Sequence, residues 1–251
     1  MKPARAKRES VPKKARADRK PRKDGDATAR RVYLVALDLF RRQGFTETTM
    51  RDVARASGLS LGAAYHHFAS KDAILFAYFD EQVSAHEALC AERLRGVDDL
   101  RARLGIAFGT GFEVRREGRA LLSSLARVVL DRSSAASLFG APAADIRRRS
   151  IGIFHLAVDV PVVQGDVKAL LATALWALHL GVLLYFVNDD SPGTVRTEKL
   201  VSELLDLVPP VAMMFGLPAM EFAREQLVRA LHEAGIPIDD GSIVGSPASE
   251  A

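Results

Sequence analysis

Three features of this 251-residue sequence predict an all-α fold. Apolar residues between Val32 and Phe40 recur at three- and four-residue steps, the period that lines one face of a helix. From about Leu100 onward every readable segment keeps a helical pattern, and no four-residue stretch alternates cleanly between apolar and polar as a half-buried strand would. The interruptions fall at Gly, Pro, Asp and Ser, residues that start or stop helices.

Helix-starting residues from Asp26 to Thr28 precede the first amphipathic run, with Val32, Val35, Ala36, Leu39 and Phe40 on one face and Gly44 as its stop. Thr48 or Thr49 caps a second helix, with Asp52 three residues after Thr49 as in a capping box, and Gly58 ends it within about two turns. Ser60 caps a short third helix reaching Phe68. Ser70 caps a fourth that carries Ile74, Leu75, Tyr78 and Phe79. Further helices are expected over 100–117, 119–132, 142–160, 166–187, 194–208 and 219–234. Residues 169–187 are apolar except for Thr173 and His179, long enough to cross a bilayer. The reading adopted is a core helix, paired with the face of Val201, Leu204, Leu205 and Val208 in a bundle shared by two subunits, with no membrane.

Hydrophobic residues make up 48% of the chain and charged residues 26%, values that exclude general disorder. Cys90 is the one cysteine, so no internal disulfide can form. With no apolar stretch following the charged N-terminus, a cytoplasmic protein is expected. The net charge of +4 is uneven. Residues 1–27 hold eleven Lys and Arg against four acids, which gives +7, and the remainder carries −3. A dense basic run with no large apolar residue beyond Met1 and Val11 reads as a disordered arm suited to polyanions, or as a solubilising extension. The expected organisation is that arm, a three-helix unit over 28–75, a larger helical unit over 76–235 and a flexible tail over 236–251.

Between Thr48 and Lys71 the spacing specifies a helix-turn-helix. Val53 and Ala54 face inward, Gly58 permits a left-handed turn, Leu59 plugs the corner and Phe68 anchors the third helix. This segment resembles the TetR (tetracycline-repressor) family, whose pattern reads roughly T-x-x-x-I-A-x-x-A-G-V-S-x-G-x-x-Y-x-H-F-x-S-K. The resemblance covers residues 30–80 closely, and the rest only in being helical. It implies an N-terminal helix-turn-helix DNA-binding domain and a C-terminal helical ligand-binding and dimerisation domain. It implies phosphate contacts at Tyr65 and Lys71, and Ser60, Leu61, Gly62 and Ala63 facing bases. Leu61, Gly62 and Ala63 bring no side-chain donor to the groove, so hydrogen-bonded readout falls to Arg51 and His66, with His67 second. Arg55 is read as a phosphate contact, and Thr49 at the cap is counted among the DNA contacts as well. The implied partners are double-stranded DNA at a palindromic operator, a second copy of the chain and an unknown small-molecule ligand. Dimerisation is expected through the penultimate pair of helices.

Thr110, His155, Trp176, His179 and Tyr185 are polar-tipped residues in apolar helices, the kind that orient a ligand, although each taken alone reads more readily as a satisfied core residue than as a ligand contact. Gly105, Gly109 and Gly111 lack the order of a phosphate loop and are read as close helix packing. The histidines lack the spacing of a metal pair, and no catalytic set is visible. The expected function is a cytoplasmic, ligand-released repressor of transcription, not an enzyme, with no cofactor and no metal. The alternative is an architectural DNA-binding protein that needs no ligand.

Overall fold

A computed structural model describes residues 23–163, 165–233, 236 and 238. Among them the chain forms eleven α-helices and no strand: α1 Lys23–Gln43, α2 Met50–Ala56, α3 Leu61–His67, α4 Lys71–Arg93, α5 Leu100–Arg115, α6 Arg119–Leu130, α7 Ala144–Ala157, α8 Asp166–Asn188, α9 Val195–Asp206, α10 Val208–Phe215 and α11 Glu221–Glu233. Residues 23–27 of the expected arm are therefore helical. Nothing after Pro21 forbids a helix there, and Asp26 favours the positive end of the α1 dipole. Residues 1–22 of that arm, and the expected tail apart from Ile236 and Ile238, lie outside the described residues. The segment after Val208 also departs from expectation. Pro209 and Pro210 open α10 instead of ending order, because a proline in the first helical turn forfeits no intrahelical bond.

Two apolar clusters hold the molecule. The first gathers Val32, Phe40, Val53, Ala64, Ile74 and Leu75 from the first four helices, and it also takes Leu121 and Leu125 from α6. The second joins Leu104, Phe108, Phe154, Trp176, Phe186 and Leu205 across α5, α7, α8 and α9. Helix α4 runs through both. It is tied to α1 by Glu81, which accepts from Tyr33 Oη at 2.5 Å and Arg30 Nη1 at 3.0 Å. Arg149 of α7 donates to Ser84 Oγ at 2.8 Å and to the carboxylates of Glu87 and Asp80, and Arg93 grips Glu113 of α5 with two bonds of 2.6 and 2.9 Å.

Helix α8 is long and apolar enough to cross a membrane. Its inner face, with Leu175, Trp176, Val182 and Phe186, is buried in the second cluster. Its outer face exposes Ala174, Ala177, Gly181, Leu184 and Tyr185, a stripe with no charged group. At its end the buried Asp189 carboxylate accepts from Ser191 and Thr197, through both backbone N–H and hydroxyl groups, at 2.6 to 2.9 Å. Burial pushes this carboxyl up, and those hydrogen bonds outweigh it and hold the group below the ordinary carboxylate range.

Candidate nucleic-acid interface and interior cavity

Each short helix of the N-terminal unit begins on a side-chain cap. Thr49 Oγ1 accepts from Asp52 N at 3.2 Å while the Asp52 carboxylate accepts from Thr49 N at 3.0 Å, closing the box expected at α2. The Thr49 hydroxyl, which donates to the Asp52 carboxylate at 2.6 Å, and then the Thr49 N–H depress the Asp52 pKa. Ser60 Oγ accepts from Ala63 N at 3.2 Å at the start of α3, and Ser70 Oγ from Ala73 N at 3.1 Å at the start of α4. Gly44 at φ +90° and Gly58 at φ +67° make the turns, where a side chain would be strained. Behind the turn Val53, Ala54 and Ala64 are buried. Phe68 lies 6.5 Å from the Tyr33 ring.

The outward faces of α2 and α3 carry Arg51, Arg55, Ser60, Gly62, Tyr65 and His66, all exposed, with Leu61, Ala63 and His67 partly so. Thr49, although expected among the contacts, is engaged in the cap. Arg55 is paired with Asp52 at 2.6 Å. Arg51, exposed at the start of α2, has no partner among the described residues. A Cβ on Gly62 would meet nothing within 4 Å, so packing inside the chain does not require glycine there.

Lys71 is placed differently from the expectation of a phosphate contact. Its Nζ donates to the carbonyls of Phe45 at 2.8 Å, Thr46 at 3.1 Å and Thr48 at 3.1 Å, and sits 4.5 Å from the centre of the Phe45 ring. All three ammonium protons are thereby engaged in holding the α1–α2 turn against α4.

A largely apolar cavity of about 120 Å³, partly open at the surface beside Leu130 and Leu184, lies among α4, α6, α7 and α8. Val83, Leu122, Val129, Ile146, Leu180 and Leu183 supply much of its wall, and Gln82 and Arg115 bring polar groups to it. Of the five expected ligand residues only Trp176 lines it. Thr110 Oγ1 donates to Ile106 O at 2.7 Å, His155 is buried in α7, and Tyr185 faces outward. His179 is packed among Phe108, Phe112, Phe154 and His86, with ring centres 5.2 to 5.7 Å apart. A Cβ on Gly111 would come within 2.5 Å of that imidazole, so close packing holds at this glycine, whereas nothing crowds Gly109.

Two side chains missed in the sequence matter here. Arg115 lines the cavity from the last turn of α5 and donates to Gly111 O at 2.9 Å, and no carboxylate among the described residues pairs with it. Burial lowers its pKa to about 10, which leaves it charged at neutral pH. Gln82 Oε1 is buried without a protein partner, as are Tyr78 Oη and both ring nitrogens of His179. Burial and the Arg115 charge push His86 down to about 4, and burial, Arg115 and His86 push His179 well below the ordinary histidine range. A sequence signal existed: Arg103 and Arg115 fall on the face of α5 whose other members, Leu104, Ala107, Phe108 and Gly111, are buried.

Residues 33–78 match the family model described as "Bacterial regulatory proteins, tetR family". Over 83 residues, 32% of this chain, the sequence is 36% identical to the HTH-type transcriptional repressor KstR2 of Rhodococcus jostii, covering 39% of that protein. It is 34% identical over 86 residues to a putative mycofactocin biosynthesis transcriptional regulator of Mycobacterium tuberculosis, covering 33% of this chain and 43% of that one. The chain thus spans about two fifths of the length of these curated relatives. The fold extends further. Fatty acid degradation regulator FadR of Bacillus halodurans superposes with a TM-score of 0.59 at 14% identity, over 72% of this chain and 96% of that one. FadR of Bacillus subtilis, in complex with stearoyl-CoA, superposes with a TM-score of 0.57 at 17% identity, over 70% and 96%.

Proposed function

We infer that this chain, a member of the tetR family of bacterial regulatory proteins by its residues 33–78, is a cytoplasmic, dimeric transcriptional repressor whose grip on DNA a small molecule loosens. The observation that carries the reading is the capped α2–turn–α3 unit, which presents a free Arg51 and an uncrowded Gly62 on one outward surface. The N-terminus of α3 enters the major groove, Gly62 admits the duplex closely, Arg51 offers its fork to guanine and Tyr65 meets a phosphate. Lys71 acts indirectly, by fixing the turn that aims α2. Partial identity with a named repressor supports the DNA-binding half of this reading, and the fold shared with a regulator bound to stearoyl-CoA supports a ligand in the helical body.

Dimerisation is read onto the uncharged outer stripe of α8 and the adjoining face of α9, where Ala174, Ala177 and Gly181 let a second copy approach closely. Coupling is read onto α4 and α6. Phe79 and Val83 of α4 and Leu122 and Val129 of α6 wall the cavity, while Tyr78, Leu121 and Leu125 of the same helices sit in the N-terminal core. A ligand that spreads these walls changes the spacing of the two recognition helices, and a coupling of about 1–3 kcal/mol lowers operator affinity several-fold to a hundredfold.

Selection of bound duplexes from random DNA tests the reading. The expected product is an inverted repeat with half-sites centred about 34 Å apart or a small multiple of it. Binding without a consensus points instead to an architectural protein, and a single asymmetric site excludes the dimer.

A further inference from the structure

We propose that the cavity among α4, α6, α7 and α8 binds a small apolar monoanion, an ionised carboxylic acid, with Arg115 as its counter-ion. The proposal names the ligand class within the regulator reading and rests on that reading only for what binding does to DNA affinity. The geometry compares two arginines on one helix. Arg103 and Arg115 are each 8% exposed and lie on the buried face of α5. Arg103 is satisfied: Nε donates to Ala157 O at 2.9 Å, Nη1 to Val97 O at 2.6 Å and Nη2 to Leu156 O at 2.6 Å, so its fork caps the negative end of α7. Arg115 makes one such bond, to Gly111 O, and its remaining donors have no acceptor among the described residues.

A buried cation with neither counter-ion nor full hydrogen bonding is unfavourable for folding, and an apolar residue of similar size would be better tolerated. Its neighbours do not neutralise it. Tyr78 and Gln82 hold unpartnered oxygens nearby, and His86 and His179 are held neutral. Every acid that α4 turns toward α1, α5 or α7 is engaged elsewhere: Glu81 by Tyr33 and Arg30, Glu87 and Asp80 by Arg149. No described residue supplies the missing anion, and the proposal takes it from outside the chain.

The rest of the ligand follows from the wall. Beyond Gln82 and Arg115 the lining is overwhelmingly aliphatic or aromatic, and Ser150 Oγ already donates to Ile146 O at 2.8 Å. A cavity of about 120 Å³ suits one ring or a short chain, since an engineered apolar cavity of about 150 Å³ takes up benzene. A carboxylate accepts two parallel bonds from a guanidinium, which fits the donors that Arg115 leaves free. A thioester of a large nucleotide fits less well, because its acyl end is neutral and its charges lie far from that end.

The test is calorimetric titration of the full chain, without DNA, with hexanoate, octanoate and phenylacetate and with the corresponding alcohols hexanol, octanol and phenylethanol. At least one acid is expected to bind at least about tenfold more tightly than its alcohol, the scale of a charged hydrogen-bonded pair. Arg115→Met is expected to bring acid and alcohol to within about twofold, and Arg115→Lys to keep part of the preference. Binding of none of the acids, equal binding of acid and alcohol, or an acid preference that survives in Arg115→Met overturns the proposal. Octanoyl-CoA binding more tightly than octanoate also overturns it and assigns the cavity to a thioester. Arg115→Met is expected to melt no lower than the parent in the absence of ligand. A large loss of melting temperature gives Arg115 a structural role and overturns the proposal as well. Because no operator is present, failure of the regulator reading leaves these titrations unaffected.

Discussion

Arg51 and Arg55 stand one turn apart on α2, and what separates them is Asp52, which holds Arg55 at 2.6 Å and leaves Arg51 free. Arg51→Ala is expected to cost roughly 1–3 kcal/mol on the selected consensus and to relax preference at one base pair of each half-site. Equal losses on consensus and scrambled duplexes, read by fluorescence anisotropy, would reduce Arg51 to a backbone contact. Gly62 gives a sharper contrast. With nothing near its absent Cβ, Gly62→Ala is expected to stabilise the folded chain by up to about 1 kcal/mol through helix propensity while weakening DNA binding. A variant that melts higher and binds DNA as before would remove the close approach assigned to this glycine. The caps at Thr49, Ser60 and Ser70 were legible in the sequence because a cap is a local event, decided within three residues. The engagement of Lys71 was not, because its acceptors at Phe45, Thr46 and Thr48 lie 23 to 26 residues away and are backbone atoms that carry no sequence mark.

Among the elements, helices α5 to α9 and α11 fall near their expected spans, since apolar periodicity over ten or more residues is hard to mistake. The exceptions are instructive. Helix α1 begins at Lys23 inside a stretch whose charge suggested an arm, and α10 begins at two prolines that suggested a break. Composition misleads where position within the helix decides the outcome. Helix α8 has apolar residues on every side, so the sequence could not divide its faces, and only packing distinguishes Trp176 inward from Ala177 outward. Ala177→Glu should therefore leave folding intact and shift the chain from dimer to monomer in sedimentation at micromolar concentration. A persistent dimer would move the interface off α8. Leu125→Ala on α6 acts in the other direction, removing fully buried volume from the N-terminal core. An expected loss of about 2–5 kcal/mol would be read by denaturant unfolding.

For the molecule as a whole, buried histidines tie stability to pH. The folded chain keeps His86 near pKa 4, against 6.5 when unfolded, so between those values the unfolded chain takes up a proton that the folded one refuses. Stability is thus complete above about pH 6.5 and falls as the pH drops toward 4, by roughly 3 kcal/mol for this residue, with His179 adding in the same sense. Melting temperatures between pH 7 and 4.5 measure the effect, and His86→Gln should flatten the slope. An unchanged slope would place the acid sensitivity elsewhere. A different consequence follows from α6, whose Leu121 and Leu125 complete the core around Val32 and Phe40. That core is not closed by the chain's first 75 residues, because its lid arrives some 45 residues later. The reading head is consequently a poor unit of exchange: spliced onto a foreign body without a matching α6 face, it would leave an apolar breach over Phe40, and recombination between such proteins would succeed only where both cut points travel together.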